Sequence, residues 1–340
     1  MSRILRVGII GMGYIGRAHY AALQQIPDVE VAAVVSHRAP EIRQAYGNLR
    51  VFSTWGEMFR SCPLDAVVVA LPTFLHAECA IDAARAGCDV LCEKPLALDA
   101  ASAEKMIESA GRQGVIMMVG HVLRFWPHYR RIKELVDQGA LGGIQSIAAY
   151  RLSSFPRWSS WFADPQKSGG CLLDLQVHDV DFIHWLLGHP ELVRTCGIRS
   201  EAGSWDHVWT ELGYGKRLVR VEASNLMPPS WPFSSGIRLQ GPKGCIQYTF
   251  RVQGNIEERS EGQHRLVLYG AEGAPTNLDV FPEDAFVNEL RYFLDCVRSR
   301  KKPVLCPVEE SLQVMQVMDA SRRSAESCET VRLSGNNPSK

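Results

Sequence analysis

Short apolar runs alternate with helical patterns in the first third of the chain. The runs apolar enough for buried strands are residues 3–10, 30–35, 65–71, 89–92 and 115–119. Helical spacing fills residues 14–25 and 75–86, and a further helix is predicted to start after Asp99 and to stop near Gly111 or Gly114. Strands alternating with helices are typical of a parallel sheet covered on both faces. We therefore predict an α/β domain over residues 1–121.

The pattern changes after residue 121. Alternating apolar and polar positions predict strands at residues 144–152, 206–214, 217–225, 236–240, 245–250 and 264–269. A helix predicted at residues 128–138 leads into these strands. Further helices predicted at 172–187, 285–299 and 308–325 should cover one face of this sheet or pack back on the first domain. We predict a second, largely antiparallel α/β domain at 122–332 and a flexible tail at 333–340.

The chain length indicates the number of domains, and the net charge indicates the kind of partner. A chain of 340 residues exceeds one small core, which agrees with two domains. Lys plus Arg and Asp plus Glu both number 37, so the formal net charge is zero and argues against nucleic acid or an anionic membrane as partner. A small-molecule ligand fits better.

Hydropathy and cysteine spacing predict the compartment. No run approaches the ~18 apolar residues that a membrane span needs, so we expect a cytoplasmic protein that does not bind membranes. The ten cysteines are scattered and form no C-x-x-C pair. We expect them to be reduced and mostly buried.

The sequence GMGYIG follows the first predicted strand and opens the first helix. Its glycines Gly11, Gly13 and Gly16 match G-x-G-x-x-G, which in this context indicates a dinucleotide-binding turn. Gly11 would permit the tight turn, Gly13 the approach of a pyrophosphate, and Gly16 close packing of helix on strand. The intervening Tyr14 and Ile15 are included in the predicted cofactor site. The alternative is a glycine-rich turn that binds nothing.

The end of the second strand is expected to read the adenosine ribose. An acidic residue there would hold the 2'-hydroxyl of NAD, but the chain has Ser36, His37 and Arg38. Arg38 with Ser36 could hold a 2'-phosphate instead. We therefore favour NADP slightly over NAD. The alternative is that Arg38 is a solvated loop charge, which leaves NAD open.

Glu93, Lys94 and Pro95 follow the strand that ends at Cys92. Ligands of open parallel sheets lie outside the carboxyl ends of the strands, so this charge pair is predicted to face a crevice. The ammonium of Lys94 could donate a hydrogen bond to a substrate oxygen. Pro95 would fix the direction of the chain, and a cis peptide bond is one way to do so. Taken alone, Glu93 and Lys94 fit solvated turn charges better.

An acid-histidine stripe is predicted on the helix at 172–187. Asp174, His178 and Asp181 lie at i, i+4 and i+7 on an otherwise apolar element, where polar groups are costly unless satisfied or used. A histidine one turn from a carboxylate suits acid-base chemistry. A metal ranks low because a third strong ligand is not evident nearby. A satisfied hydrogen-bond network is the competing interpretation.

Several motifs together resemble one family, the glucose-fructose oxidoreductase, inositol dehydrogenase and rhizopine catabolism group of NAD(P)-dependent oxidoreductases. They are, in order, GMGYIG, ALPTFLH at 70–76, CEKP at 92–95, GHVLRFWP at 120–127, GGCLLDLQVHDVD at 169–181 and FVNELRYFLDCV at 286–297. The resemblance implies a Rossmann domain followed by an α/β domain on an open, mainly antiparallel sheet. It also implies a homodimer or homotetramer formed through the open sheet face.

The resemblance assigns roles to matching residues. It implies that His178 exchanges a proton with the reacting oxygen, that Lys94 polarises that oxygen, and that Asp174 orients both. On the cofactor side it implies contacts from Leu71, Pro72, Thr73, His76, Glu93 and Lys94, and from Arg124 as a cofactor or substrate contact.

The implied reaction is hydride transfer between a nicotinamide and a secondary alcohol or ketone of a sugar, cyclitol or related polyol. Aromatic side chains such as Trp158 and Trp161 precede the site helix and would suit a sugar ring, although most aromatics are expected in the core or at an interface. Two alternatives are an NAD-retaining glycosidase that uses transient oxidation and a non-catalytic dinucleotide-binding redox sensor.

Overall fold

The computed structural model describes residues 3–47, 49–156, 160–252 and 262–333. Trp158 lies outside these ranges, and of the predicted tail only Leu333 is described. Among the described residues, no helix is both long enough and apolar enough to cross a membrane.

The chain up to residue 126 alternates strands and helices. In chain order they are β1 (Leu5–Ile10), α1 (Tyr14–Leu23), β2 (Val29–Val35), α2 (Ala39–Tyr46), β3 (Val51–Phe52), α3 (Trp55–Ser61), β4 (Ala66–Val69), α4 (His76–Arg85), β5 (Asp89–Glu93), α5 (Ala100–Gln113) and β6 (Met117–Gly120). Two 3₁₀ turns, Thr73–Leu75 and Val122–Arg124, follow β4 and β6. The six strands pair in parallel in the order β3-β2-β1-β4-β5-β6.

Burial and capping explain these elements. Every residue of β4 and β5 is buried, as expected for strands covered on both faces. The side chain of Asp99 accepts a hydrogen bond from the backbone N–H of Ser102 and starts α5, and Gly114 ends it in the left-handed conformation. The predicted bounds of this helix are confirmed.

The rest of the chain is richer in strands. In chain order the elements are α6 (Pro127–Asp137), β7 (Ser146–Ser154), α7 (Pro165–Ser168), α8 (Gly170–Asp174), α9 (Gln176–Leu187), β8 (Leu192–Arg199), β9 (Trp205–Tyr214), β10 (Arg217–Met227), β11 (Ser234–Gly241), β12 (Gly244–Arg251), β13 (Gln263–Gly270), β14 (Thr276–Asn277), α10 (Ala285–Ser299), α11 (Val308–Ser327) and β15 (Val331–Arg332). A 3₁₀ turn, Ser160–Ala163, precedes α7.

The second sheet is open and mainly antiparallel. Its order is β14-β13-β12-β11-β7-β10-β9-β8-β15, and the pair β7–β10 is parallel. Burial alternates along β9, so one face is covered and the other is exposed. On the exposed face Trp209 is 45% and Leu218 is 76% accessible, and the exposed Cys196 pairs with Trp209 across β8 and β9.

The chain divides into two units, each described by itself. The first contains residues 1–126 and 283–312, and the second contains residues 127–282 and 313–340. The helix α10 belongs to the first unit, where Leu290, Phe293 and Leu294 share a core with β1 and β4. The domain boundaries at 121/122 and 332/333 remain a prediction; the first unit as described also takes in 283–312.

One predicted helix is wrong, several elements were not predicted, and the expectation for the cysteines agrees with the structure. The single helix predicted at 172–187 is wrong, because α8 ends at Asp174 and α9 begins at Gln176, with Leu175 between them. The strand β8 and the short elements α2, β3, α3, α7, β14 and β15 were not predicted. The cysteines are free and seven of the ten are buried, as expected for small apolar side chains.

Candidate active site

The glycine turn between β1 and α1 shows why each glycine is needed. Gly11 has φ +100°, and a Cβ there would lie 2.3 Å from the carbonyl oxygen of Ala70. A Cβ on Gly16 would lie 1.9 Å from the carbonyl oxygen of Gly11. Both positions therefore exclude any side chain. A Cβ on Gly13 would meet no described atom within 4 Å, so the backbone there borders open space.

The helix α1 begins at this open space. Gly13 is its N-cap and provides no side-chain cap, and both Gly13 and Tyr14 are exposed while Ile15 is half-buried. An uncapped helix N-terminus attracts anions through its first backbone N–H groups and the helix dipole. This turn fits the pyrophosphate of a dinucleotide.

The end of β2 carries the residues predicted to read the ribose. Ser36 is buried, and its Oγ accepts a hydrogen bond from the backbone N–H of Arg38 at 3.1 Å. His37 is exposed. Arg38 caps the start of α2, and its exposed guanidinium lies 3.7 Å from Glu41. A surface pair of this length contributes little, so the guanidinium can turn toward an anion.

The loop after β4 is held by His76. Leu71 and Pro72 are half-buried, while Thr73 and His76 are buried. The ring nitrogens of His76 lie 2.8 Å from the carbonyl oxygens of Leu71 and Pro95. Burial lowers the pKa of His76, and a neutral imidazole donates to one carbonyl at a time. His76 thus ties the loop after β4 to the loop after β5.

Glu93 ends β5 as a buried carboxylate. Its Oε1 accepts a hydrogen bond from Nε2 of His19 on α1 at 2.6 Å, and its Oε2 accepts one from the backbone N–H of Lys94 at 3.1 Å. Burial alone would raise the pKa of Glu93, but the bond from His19 and the charge of Lys94 lower it. The interpretation of Glu93 as a solvated turn charge is therefore wrong.

Lys94 and Pro95 form the corner that follows. Lys94 is half-buried, and the Lys94–Pro95 peptide is cis. Lys94 stands at the carboxyl end of β5, two strands along the sheet from the end of β1. The glycine turn, the Ser36 corner and Lys94 therefore share the carboxyl edge of one parallel sheet.

A second buried acid, Glu289, lies near Glu93 and was not predicted from the sequence. Glu289 on α10 is fully buried, and His19, Glu93 and Glu289 each offer one atom within 4.8 Å of the others. Burial raises the pKa of Glu289, and the charge of Glu93 adds to this. The sequence contains a signal for this residue, an acid on the apolar stripe of a helix. Glu289 lies one turn from Ala285 and one turn from Phe293.

Arg124 lies in the turn after β6 and is fully buried. Its Nη1 donates to Glu310 at 2.6 Å and to the carbonyl oxygen of Leu305 at 3.1 Å. All three residues belong to the first unit. These contacts give Arg124 a structural role there, and its contact with cofactor or substrate remains a prediction.

In the second unit, two glycines set the position of α8. Gly169 and Gly170 have φ of +71° and +69°, and a Cβ on Gly170 would lie 2.7 Å from the carbonyl oxygen of Trp205. The start of α9 is fixed by Gln176, whose amide donates to Oγ1 of Thr210 on β9 at 2.9 Å. These contacts hold α8 and α9 against the covered face of the sheet.

The three residues of the predicted acid-histidine stripe differ in exposure. Asp174 at the end of α8 and His178 in α9 are half-buried, whereas Asp181 is buried. The adjacent Asp179, which was not predicted, forms a buried two-bond ion pair with Arg151 of β7 at 3.0 and 3.1 Å. Asp174 and His178 are therefore the reachable acid-base groups, and Asp179 serves the core. Lys94 belongs to the first unit and these two residues to the second.

Comparisons with known proteins agree with this geometry. Residues 5–121 match the model of an oxidoreductase family with an NAD-binding Rossmann fold, and residues 129–247 match the GFO/IDH/MocA C-terminal domain. A trans-1,2-dihydrobenzene-1,2-diol dehydrogenase of Mus musculus is 30% identical over 94% of this chain and 96% of its own. The chain belongs to the GFO/IDH/MocA oxidoreductase family.

Further members of the GFO/IDH/MocA family are similar over almost the whole chain. A myo-inositol 2-dehydrogenase of Thermotoga maritima is 26% identical and covers 97% of this chain and 98% of its own. The crystal structure of an aldose-aldose oxidoreductase from Caulobacter crescentus with glycerol has a TM-score of 0.84 at 23% identity, covering 97% and 100%. The family resemblance and the fold class predicted from the sequence are confirmed. The protein is an oxidoreductase with an NAD-binding Rossmann domain.

Proposed function

We propose that the protein transfers a hydride between a nicotinamide dinucleotide and a secondary alcohol or ketone of a sugar, cyclitol or related polyol. The observation that carries this proposal is the open, uncapped start of α1 at Gly13, on the same sheet edge as Lys94. The relatives named myo-inositol 2-dehydrogenase and aldose-aldose oxidoreductase support the substrate class. When bound, the nicotinamide supplies the hydride chemistry.

The chain's own residues would handle the proton. We assign His178 as the group that exchanges a proton with the substrate oxygen, since an imidazole changes charge in the physiological range. The ammonium of Lys94 would donate a hydrogen bond to that oxygen and stabilise negative charge on it. Asp174, at the end of α8 and four residues before His178, would orient both groups. This assignment requires that Lys94 and the pair Asp174 and His178 meet at one substrate.

The test is a panel of sugars and cyclitols, assayed by nicotinamide absorbance with each cofactor. With the best substrate, Lys94→Ala or His178→Ala should each lower kcat by about 100-fold or more while cofactor affinity changes little. The matched control is Lys105→Ala, because Lys105 is an exposed lysine on α5. Wild-type turnover in both site variants would refute the assignment.

For the cofactor we propose a slight preference for NADP over NAD, supported by the exposed Arg38 and by the lack of an acid at 36–38. Arg38→Ala should lower the ratio of kcat/KM for NADP to that for NAD about tenfold, as expected for one lost charged hydrogen bond. Arg112→Ala, an exposed arginine on α5, is the control. An unchanged ratio would show that Arg38 does not read the phosphate.

The same assays separate the alternatives. A glycosidase would keep its dinucleotide through purification and cleave a glycoside without net NADH, and a redox sensor would bind dinucleotide but turn over no alcohol. Neither result is expected.

We also propose a homodimer or homotetramer formed through the exposed sheet face, since Trp209 and Leu218 present apolar surface there. Trp209→Glu should then reduce the mass measured by light scattering.

A further inference from the structure

The strongest unexplained feature is the buried acid of α10. The side chain of Glu289 is 0% exposed, and neither carboxyl oxygen has a hydrogen-bond partner among the described residues. It faces Glu93 and His19, each of which offers an atom within 4.8 Å. Burial without hydrogen-bond partners strongly disfavours the ionised form of a carboxyl group, so this acid is expected either to keep its proton or to bind a cation.

The carboxyl groups of Glu93 and Glu289 cannot both be ionised. Like charges this close disfavour a second ionisation, so one acid of the pair keeps a proton. Glu93 has the bond from His19, the backbone N–H of Lys94 and the charge of Lys94, all of which favour its carboxylate. Glu289 has none of these, and burial favours its neutral form. The proton therefore belongs on Glu289.

A metal ion is the competing occupant of this cluster. Two ligands of one tetrahedral zinc, each at about 2.0–2.1 Å, lie roughly 3.3 Å apart. The observed 2.6 Å between Nε2 of His19 and Oε1 of Glu93 is a direct hydrogen bond instead. The geometry favours a hydrogen bond between His19 and Glu93 over a bound cation.

The packing around Glu93 shows what the acid of α10 controls. On the neighbouring strand β6, a Cβ on Gly120 would lie 3.3 Å from the carboxyl group of Glu93, so that side of the group is closed. His19 holds one oxygen and the backbone of Lys94 holds the other. Glu289 occupies a further side, and the orientation of the Glu93 carboxylate fixes the peptide from which Lys94 projects.

We propose that Glu289 is a neutral carboxylic acid at working pH and a positioning residue for Lys94, acting through the ionised Glu93. The role of Lys94 rests on the proposed function, whereas the protonation of Glu289 does not. The ionisable groups that act on the two acids, among the described residues, are His19 from α1 and Lys94 after β5. His76 lies close enough for the charge of Glu93 to act on it.

The first test measures stability against pH and needs no substrate. An acid whose pKa is raised on folding destabilises the native state as the pH rises above its unfolded value of about 4.3. Glu289→Gln keeps the shape and cannot ionise. Its Tm should therefore exceed that of the wild type by an amount that grows from pH 5 to pH 8 and reaches roughly 3 °C or more.

The matched control is Asp295→Asn, because Asp295 is an exposed acid on the same helix. Its Tm difference should not change with pH. If Glu289→Gln is less stable than the wild type at every pH, or if a chelator lowers the Tm of the wild type but not of the variant, Glu289 is ionised or binds a metal and the proposal is overturned.

The second test measures positioning. Glu289→Leu should lower kcat about tenfold with little change in the KM of the cofactor, and Glu289→Gln should rescue most of that loss. The wild type should lose kcat at the alkaline pH where Glu289 ionises, and the Gln variant should lack this loss. Equal pH profiles in wild type and Gln variant would overturn the positioning role. If no alcohol is oxidised by any variant, the proposed function fails while the stability test still decides the protonation.

Discussion

The two sheets of this protein differ in the number of faces that are buried. The parallel sheet of the first unit buries both faces, so β4 and β5 expose no side chain and ligands can be reached only at the strand ends. The sheet of the second unit covers one face and leaves Trp209 and Leu218 on the other. In the first sheet, ligands can therefore bind only at the carboxyl ends of the strands, which we call the chemical edge. The second sheet exposes a whole face on which another molecule can bind.

The difference extends to polar groups. In the first unit, a buried carboxylate lies at the carboxyl end of β5, where Glu93 contacts His19 and the backbone of Lys94. In the second unit, the buried pair Arg151 and Asp179 joins β7 to α9 on the covered face. The Glu93 cluster thus lies beside the candidate site, and the Arg151–Asp179 pair holds a helix on the sheet.

The largest expected effect tests the covered face of the second sheet. Asp179→Ala leaves the guanidinium of Arg151 buried without its carboxylate and should lower the free energy of unfolding by about 3–5 kcal/mol. Denaturant unfolding measures this loss. The double change Arg151→Met with Asp179→Leu should recover most of it, and a double variant as unstable as Asp179→Ala would contradict the assignment of the pair to helix packing.

The second prediction compares the two sheets directly. Ile9→Ala in β1, where the side chain is 0% exposed, should cost about 2–5 kcal/mol. Leu218→Ala on the exposed face should cost less than about 0.5 kcal/mol in the isolated subunit. Equal losses at low protein concentration would mean that the exposed face is not free in the monomer.

The third prediction concerns the turn that leads to the chemical edge. Gly16→Ala places a Cβ against the carbonyl of Gly11 and should destabilise the protein by about 1–3 kcal/mol. Gly13→Ala meets no described atom and has φ −73°, so stability should stay within about 0.5 kcal/mol while dinucleotide affinity falls. Thermal unfolding and cofactor titration separate the two. Equal Tm losses in both variants would contradict the distinction between packing and binding glycines.

The smallest effect concerns a histidine stack in the second unit. The rings of His128 and His264 stack at 4.4 Å, and burial lowers the pKa of His128 to about 4. The native state therefore prefers neutral His128 and should lose stability as the pH falls from about 6.5 toward 4. His128→Phe keeps an aromatic ring and should reduce this acid loss by about 2 °C in Tm. Identical pH slopes would show that His128 does not titrate in the fold.

Local patterns predicted much of this fold. The strand, turn and helix at residues 5–23 were predictable because the apolar run, the glycine motif and the helical pattern follow one another directly, and the end of α5 was marked by Gly114. The strand β8 was missed because only Val193 and Thr195 along it are buried, which leaves a weak alternation. The break at Leu175 was hidden because residues on both sides suit a helix.

The site was predictable only in part. Lys94, Asp174 and His178 were found from short motifs, and their meeting at one substrate stays a prediction. His19, Glu93 and Glu289 come from three elements far apart in the chain, so their cluster depends on tertiary contacts that no local pattern encodes. Asp179 was passed over because helical spacing alone cannot tell a paired core acid from a catalytic one.

The position of Cys196 allows a fluorescent dye to be attached to the exposed face of the second sheet. This thiol is solvent-accessible and lies across from the indole of Trp209, whereas seven other cysteines are shielded. A maleimide dye attached there would sit within quenching range of the indole, and its emission would change whenever another molecule covered that spot. Once Cys328, which is also exposed, is replaced by serine, such a dye would report whether a second copy of the chain covers this face.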